Sequence, residues 1–459
     1  MYVNRLGAHD AMSGTLIGML PLAAFFSSIP FSMWTNKSFR HPFLMSCLMM
    51  IIGNLIYGLA DPFQRVEVAL LGRFISGLGA PKCIIRRYIA DTTPVSLRTG
   101  VNAGFGMVVA AGSAMGPAMA VILNRFEYTV VLPGLGFVNF NGLTLPGYFM
   151  ACCWFTFSLV VLATFEEPDR EGLREQKNLE SLATPSQSRA DLSGSELNES
   201  SQYDQDLNTI FSGEDDDYRD DLSRKSSYHH DSRNPSQWRR SLATFRHYCD
   251  LISFPVRLCL GLLFAKVFTI EALVSATSAL SKNRYGWQVQ QVGTLGFVNG
   301  LLVIPFSVLV GRLSLSYHDH VLMKWLVCIG CTGLFLLIDV TDFVATPTSD
   351  YNQGHVLAVS PQRYIAGYFL VYLSIQSFEG VIGSTLSKVI PTSLASGTFN
   401  SGLLATLVDT SGRACGDLFI SAVGFIQLRQ LMNLLFIPGF LIMFTCLVVI
   451  VRYRDMLSV

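Results

Sequence analysis

Charged side chains stand inside stretches that otherwise suit an apolar surrounding. Arg73, Lys82, Arg86 and Arg87 share GRFISGLGAPKCIIRRYIAD, residues 72–91. Lys266 and Glu271 lie in KVFTIEALVS, Glu379 in SFEGVIGSTLSK, and Arg413 with Asp417 in GRACGD. An ionisable group within a membrane span costs roughly 2.5–3.5 kcal/mol on insertion scales, so it faces a cavity or a partner. Arginine offers a planar fork and lysine a compact charge, and both bind multivalent oxyanions. The carboxylates of Glu271, Glu379 and Asp417 fit proton coupling or counter-charge. Arg413 and Asp417 are four residues apart, share a helix face and can pair. Glu271 follows Lys266 by five residues, about 140° round a helix, so it needs another partner or water. Purely structural pairing between helices stays open for Arg73 and for Arg413 with Asp417. Tyr88, Gln376, Ser377, Ser384, Thr398 and Asn400 add hydroxyl and amide groups nearby.

The elements that must position these groups are membrane helices. Half of the 459 residues are hydrophobic, 14% are charged and 32 are Phe. Soluble domains carry about 25% charged residues. A bilayer core needs about 20 mostly apolar residues per helix, and lipid leaves no backbone partner outside the helix itself. Eleven such spans are expected: 12–34, 43–60, 67–89, 98–123, 147–165, 256–280, 290–312, 321–341, 363–387, 397–424 and 430–451. Residues 1–165 then form one helical bundle and 251–459 a second. The lipid bilayer is thus one partner, and no nucleic acid is expected.

Residues 166–250 differ. They hold 11 Lys/Arg and 19 Asp/Glu, leaving 22 and 14 for the remaining chain. With EDDDYRDD and many Ser, Asn and Gln, this stretch buries too little to fold, and it is expected to be a disordered acidic linker. Ser226 and Ser227 follow Arg224-Lys225 and offer a kinase or regulator a site. Connections on one side carry 11 Lys/Arg and those on the other side seven. That bias places the linker and the C-terminus in the cytosol. The sequons at Asn36 and Asn198 then face the cytosol too.

The two halves look related. GMLPLAAFFSSIPFSMWTNKSFRHPFLMSCLMM, from Gly18, shares its layout with GLLVIPFSVLVGRLSLSYHDHVLMKWLV, from Gly300. Each is an apolar helix, a short polar and basic turn, and another apolar helix. Aligning them leaves the first half one leading helix short of a 6+6 arrangement.

LLGRFISGLGA, 70–80, resembles the fourth-helix signature of the major facilitator superfamily, with Arg73, Gly77 and Gly79 in place. GFGMVVAAGSAMGPAMA, 104–120, resembles its fifth-helix signature, with Gly112, Gly116 and Pro117. Small residues there would allow close helix approach, and Gly-Pro a bend. RRYIAD at 86–91, IPFSVLVGRLS around Arg312, FEGVIGSTLSKVIP from Phe378 and GTFNSGLLATLVDTSGRACGD from Gly397 resemble the plant and algal vacuolar phosphate transporters that join an SPX domain to this body. KVFTIEALVS resembles their seventh helix.

That resemblance implies an all-α major facilitator fold of two bundles, with the first of the usual 12 helices and the SPX domain lacking. It also implies transport of inorganic phosphate or a similar anion across a vacuolar or lysosome-like membrane. Lys82 and Lys266 would then line the cavity, with Arg413, Tyr88, Arg86 and Gln376 beside them. Arg86 and Arg87 would sit at the cytosolic mouth, drawing anions in or anchoring the helix end. This chain departs from the family at Ile85, where Asn is usual, and at Leu407, where Glu is usual. A further N-terminal span, and an SPX domain, are expected to be encoded upstream.

Two other readings compete: an anion (chloride) channel on the same fold, and a non-transporting sensor or scaffold acting through the linker. Enzyme chemistry is not expected, because nucleophile elbow, phosphate-cradling loop and metal-ligand cluster are absent from the sequence. No cofactor or metal is expected. Cys328-Ile-Gly-Cys331 reads as buried helix, and His318-Asp319-His320 as a solvated turn.

Overall fold

The computed structural model describes residues 2–9, 12–94, 98–132, 136–172, 174–175, 252–314, 316–341, 358–389, 401–426 and 431–457. Most of 166–250, including Ser226, Ser227 and Asn198, lies outside them, as do Thr398 and Asn400. A short α1 (Tyr2–Arg5) precedes α2 (Met12–Trp34) and α3 (Arg40–Phe63). Then come α4 (Val66–Leu78), α5 (Lys82–Thr92), α6 (Arg98–Leu123) and α7 (Leu145–Thr164). The second half holds α8 (Phe254–Tyr285), α9 (Val289–Leu313), α10 (Asp319–Leu337) and α11 (Pro361–Val389). It ends with α12 (Ser401–Ile426), α13 (Leu431–Arg452) and α14 (Arg454–Leu457).

Ten spans among the described residues are long and apolar enough to cross a membrane, with α4 and α5 together making one. The 26-residue α12 is long enough as well but carries Asp409, Arg413 and Asp417. The helices therefore match the eleven expected spans.

Two details differ from the sequence expectation. The span expected at 67–89 is broken, because Pro81 cannot donate a backbone hydrogen bond and Gly79 ends α4. The all-α expectation also needs a β-hairpin added: β1 (Tyr128–Leu132) pairs antiparallel with β2 (Gly136–Phe140), Thr129 opposite Asn139. The hairpin joins α6 to α7 at the end of α3 opposite the Ser38–Glu167 contact, here the far end. There Asn139 Nδ2 donates to Asp61 at 3.1 Å, and Arg5 pairs with Asp61 at 2.8 Å.

Helix α3 lies against α4 and α7, and α2 against α4; in the second half α8 touches α11, α12 and α13, while α10 packs on α11 and α13. The halves meet where α2 runs along α12 and where α6 runs along α9. The related layouts noted in the sequence are α2–turn–α3 and α9–turn–α10, with residues 35–39 and 314–318 as the turns. The leading helix of each unit is one of those that cross to the other half.

Both crossings use small residues. A Cβ on Gly18 would meet the Asp417 Cβ at 2.7 Å, and one on Gly300 would meet the Ala114 Cα at 2.6 Å. Side chains larger than hydrogen would force these helices apart.

Candidate functional site

Several charged residues converge near the middle of their spans. Helix α8 cannot point Lys266 and Glu271 the same way, and it does not. Lys266, 0% exposed, donates from Nζ to Glu379 Oε2 on α11. Glu271 turns instead to α12, where Arg413 Nη1 donates to its Oε2 at 2.8 Å. One turn before Arg413 on the same face, Asp409 faces the Arg413 Nε at 3.7 Å. Its Oδ2 also accepts from Lys82 Nζ, which reaches across from α5. Arg86, one turn after Lys82, donates from Nη1 to Thr406 Oγ1 at 3.1 Å and faces Glu379 at 3.6 Å.

Four cations thus meet three carboxylates: Lys82, Arg86, Lys266 and Arg413 against Glu271, Glu379 and Asp409. Asp417, four residues after Arg413, adds a fourth carboxyl beside the group. The group is not sealed, since the side chain of Arg413 is 34% exposed and that of Lys82 27%. A water-sized molecule can thus reach both of these cations. Gln376 lies half-buried one turn before Glu379 on α11. The arrangement can take an oxyanion with several donors at once.

Asp409 is the member of this charged group that the sequence analysis missed. Its signal was present, because Asp409, Arg413 and Asp417 recur every four residues and must share a face of α12.

A family model for the Major Facilitator Superfamily matches residues 1–416. The chain belongs to the major facilitator superfamily. It is similar to an SPX domain-containing membrane protein of Arabidopsis thaliana, 30% identical over 443 residues. It is equally similar to one of Oryza sativa subsp. indica, 30% identical over 453 residues. Each alignment covers 96% of this chain and 58% of the relative, so the chain spans somewhat over half of their length. Its fold is similar to a partially occluded inward open conformation of the xylose transporter XylE from E. coli. That likeness has a TM-score of 0.59 at 9% identity and covers 96% of this chain and 87% of that one.

The superfamily signatures hold up unevenly. Gly77 and Gly79 are close-approach positions: a Cβ would meet the Ala23 Cβ at 2.7 Å or the Met49 Cβ at 2.8 Å. Gly112 and Gly116 are not, because a Cβ on either meets nothing within 4 Å among the described residues. The crossing face of α6 runs through Ala114, Pro117 and Val121, and Gly112 and Gly116 lie about 200° from Ala114. The glycines that permit the approach belong to α9: Gly293 faces Val121 and Pro117, Gly296 faces Pro117, and Gly300 faces Ala114. Arg73 stands apart from the charged group, with its guanidinium 4.3 Å above the Tyr57 ring.

Four further expectations are corrected. Arg413 and Asp417 do not pair; Arg413 turns to Glu271 and Asp409, while Asp417 Oδ1 accepts from Ser275 Oγ at 2.5 Å. Tyr88 is remote from the charges, since two residues turn a helix by about 200°. Its ring packs on Phe39, Phe43 and Phe165, with the Phe39 centroid at 5.3 Å. Arg86 and Arg87, treated together in the sequence, divide. Arg87 is buried, donating to the Ser32 carbonyl at 2.7 Å and pairing with Asp91 at 3.4 Å. Asp91 also receives Arg170, from the chain just past α7, at 3.3 Å. Arg87 anchors the helix end, and Arg86 joins the mid-span group. Asp319 is likewise no solvated turn residue: it is buried at the start of α10 and accepts from Thr385 at 3.2 Å.

Proposed function

We propose that the chain is the membrane body of a secondary transporter for inorganic phosphate or a similar small oxyanion. The observation that carries this reading is the mid-span group itself. Cations from both halves, Lys82 and Arg86 on one side and Arg413 on the other, keep accessible side chains in one cluster, with Lys266 buried behind them against Glu379. Phosphate carries close to two negative charges near neutral pH and uses several donors, which such a ring supplies. Because the donors belong to both halves, rocking one half against the other would pass the anion from one face to the other. The resemblance to vacuolar phosphate transporters supports phosphate as the substrate and an internal, vacuole-type membrane as the location.

Phosphate uptake into proteoliposomes, measured for the full chain and for Lys82→Ala and Lys266→Ala, tests this reading. Saturable uptake that falls at least tenfold in both variants is expected. Uptake unchanged in both would remove the site. Chloride current that does not saturate at millimolar anion would favour a channel on the same fold.

A further inference from the structure

Three carboxylates face the mid-span cations, and they do different work. Glu379 with Lys266 joins α11 to α8, and Glu271 with Arg413 joins α8 to α12. Both pairs lie within the second half and hold that half together. Asp409 is different. Its Oδ2 takes Lys82, 327 residues earlier in the chain, so the pair bridges the two halves. The other polar contacts from α5 to the second half are looser: Arg86 to Thr406 at 3.1 Å and to Glu379 at 3.6 Å.

Asp409 is also poorly satisfied for a buried carboxylate. Its side chain is 1% exposed, its Oδ1 has no hydrogen-bond partner among the described residues, and its contact to Arg413 Nε is 3.7 Å. A buried acceptor left without a donor is costly. Helix α5 itself is an 11-residue piece separated from α4 by Gly79–Pro81.

We infer that Asp409 is a built-in competing anion: it holds Lys82 while the site is empty, latching α5 to α12, and must release Lys82 when the transported oxyanion arrives. This inference rests on the anion-binding reading of the site. The ammonium of Lys82 cannot give its full charge to Asp409 and to a phosphate oxygen at once. Substrate binding and opening of the contact between the halves are therefore one event. The empty carrier stays latched, and the site favours ligands with enough negative charge to replace a carboxylate. Asp409 is in this sense a specificity-determining residue.

The test has two readouts on the full chain in lipid nanodiscs: binding of inorganic phosphate, and backbone hydrogen exchange of residues 82–92 without phosphate. Asp409→Asn is expected to tighten phosphate binding about tenfold, a change of about 1.4 kcal/mol. A merely structural role predicts the opposite sign, weaker binding. Asp409→Glu, which keeps a carboxylate in reach of Lys82, is expected to bind as the parent does.

Exchange of 82–92 is expected to rise several-fold in Asp409→Asn and equally in Lys82→Ala, and no further when both are combined. Phosphate binding that is unchanged or weaker in Asp409→Asn overturns the inference while the parent's own binding leaves the anion reading standing. Unchanged exchange in both single variants also overturns it. If the parent binds none of phosphate, sulfate or chloride yet the variants raise exchange, the anion reading fails, and the displacement step fails with it. Should Asp409→Asn not fold, Asp409→Ser carries the same expected signs.

Discussion

Two ionic groups that α8 joins, one around Lys266 and Glu271 and one at Arg284, are built on opposite plans. At the far end Arg284, where α8 ends, pairs with Asp339, which is 0% exposed. Asp339 Oδ1 accepts from the Thr341 amide at 3.0 Å and from its hydroxyl at 2.6 Å. Asn433 closes the backbone, accepting from the Asp339 amide at 2.8 Å and donating to its carbonyl at 2.7 Å. Arg363 donates to the carbonyls of Leu336 and Ile338 at 2.8 and 3.1 Å. Short bonds fill this group, and backbone groups take part.

The mid-span group has two contacts near 3.7 Å, an Asp409 oxygen with no hydrogen-bond partner among the described residues, and accessible arginine and lysine side chains. A filled network has no use for a guest. An underfilled one with accessible cations is where an anion gains most. Completeness of bonding, more than the presence of charge, distinguishes the two groups.

The contrast can be broken most sharply at the far end. Asp339→Ala leaves Arg284 buried without its partner and should cost about 3–5 kcal/mol, enough to consume much of a typical folding free energy. Loss of the monodisperse peak in size-exclusion chromatography is the expected result. A normally folded Asp339→Ala protein would show that the far-end group fastens nothing.

At mid-span, neutralising a whole pair should separate stability from activity. Lys266→Met combined with Glu379→Gln removes both charges and is expected to shift the melting temperature by only a few degrees. Anion uptake should fall at least tenfold in the same protein. Equal loss of stability here and in the far-end variant would erase the distinction between the groups.

The smallest effect is expected outside the membrane, where Glu167 caps α3. Its carboxylate accepts from Ser38 Oγ at 2.5 Å and from the Phe39 and Arg40 amides at 3.0 and 2.9 Å. Partial burial pushes the Glu167 carboxyl upward, but these bonds outweigh burial and hold it below the usual glutamate range. Stabilisation from such a group is full above the unfolded-state value and is lost as pH falls through the lowered folded value. Glu167→Gln should therefore cost about 0.5–1 kcal/mol at neutral pH, as capping losses do at exposed sites. That gap should close as the melting temperature is followed down below about pH 4.5, where the wild-type carboxylate takes up its proton.

Much of the frame was legible before any coordinates. Apolar runs of about 20 residues gave the spans, because lipid admits little except helix there. The fourth- and fifth-helix signatures pointed to the fold, although Gly112 and Gly116 turned out to lie off the crossing face. Charge positions were legible, but partners were not. Spacing predicted that Lys266 and Glu271 diverge, and they do. The same spacing allowed Arg413 to pair with Asp417, and tertiary neighbours decided for Glu271 and Asp409 instead. Leu407 stands where the resemblance expects Glu, and the nearest carboxylate, Asp409, comes two residues later. On a helix that moves it about 200° round, to a face only the assembled bundle could assign.

The sequence by itself determined which segments enter the membrane and which of them carry charge. Those properties follow from local composition and from the cost of an unpaired backbone in lipid. The tertiary structure alone decided which charges meet. Partners such as Lys82 and Asp409 lie 327 residues apart in the chain, and only the packing of α5 on α12 brings them together.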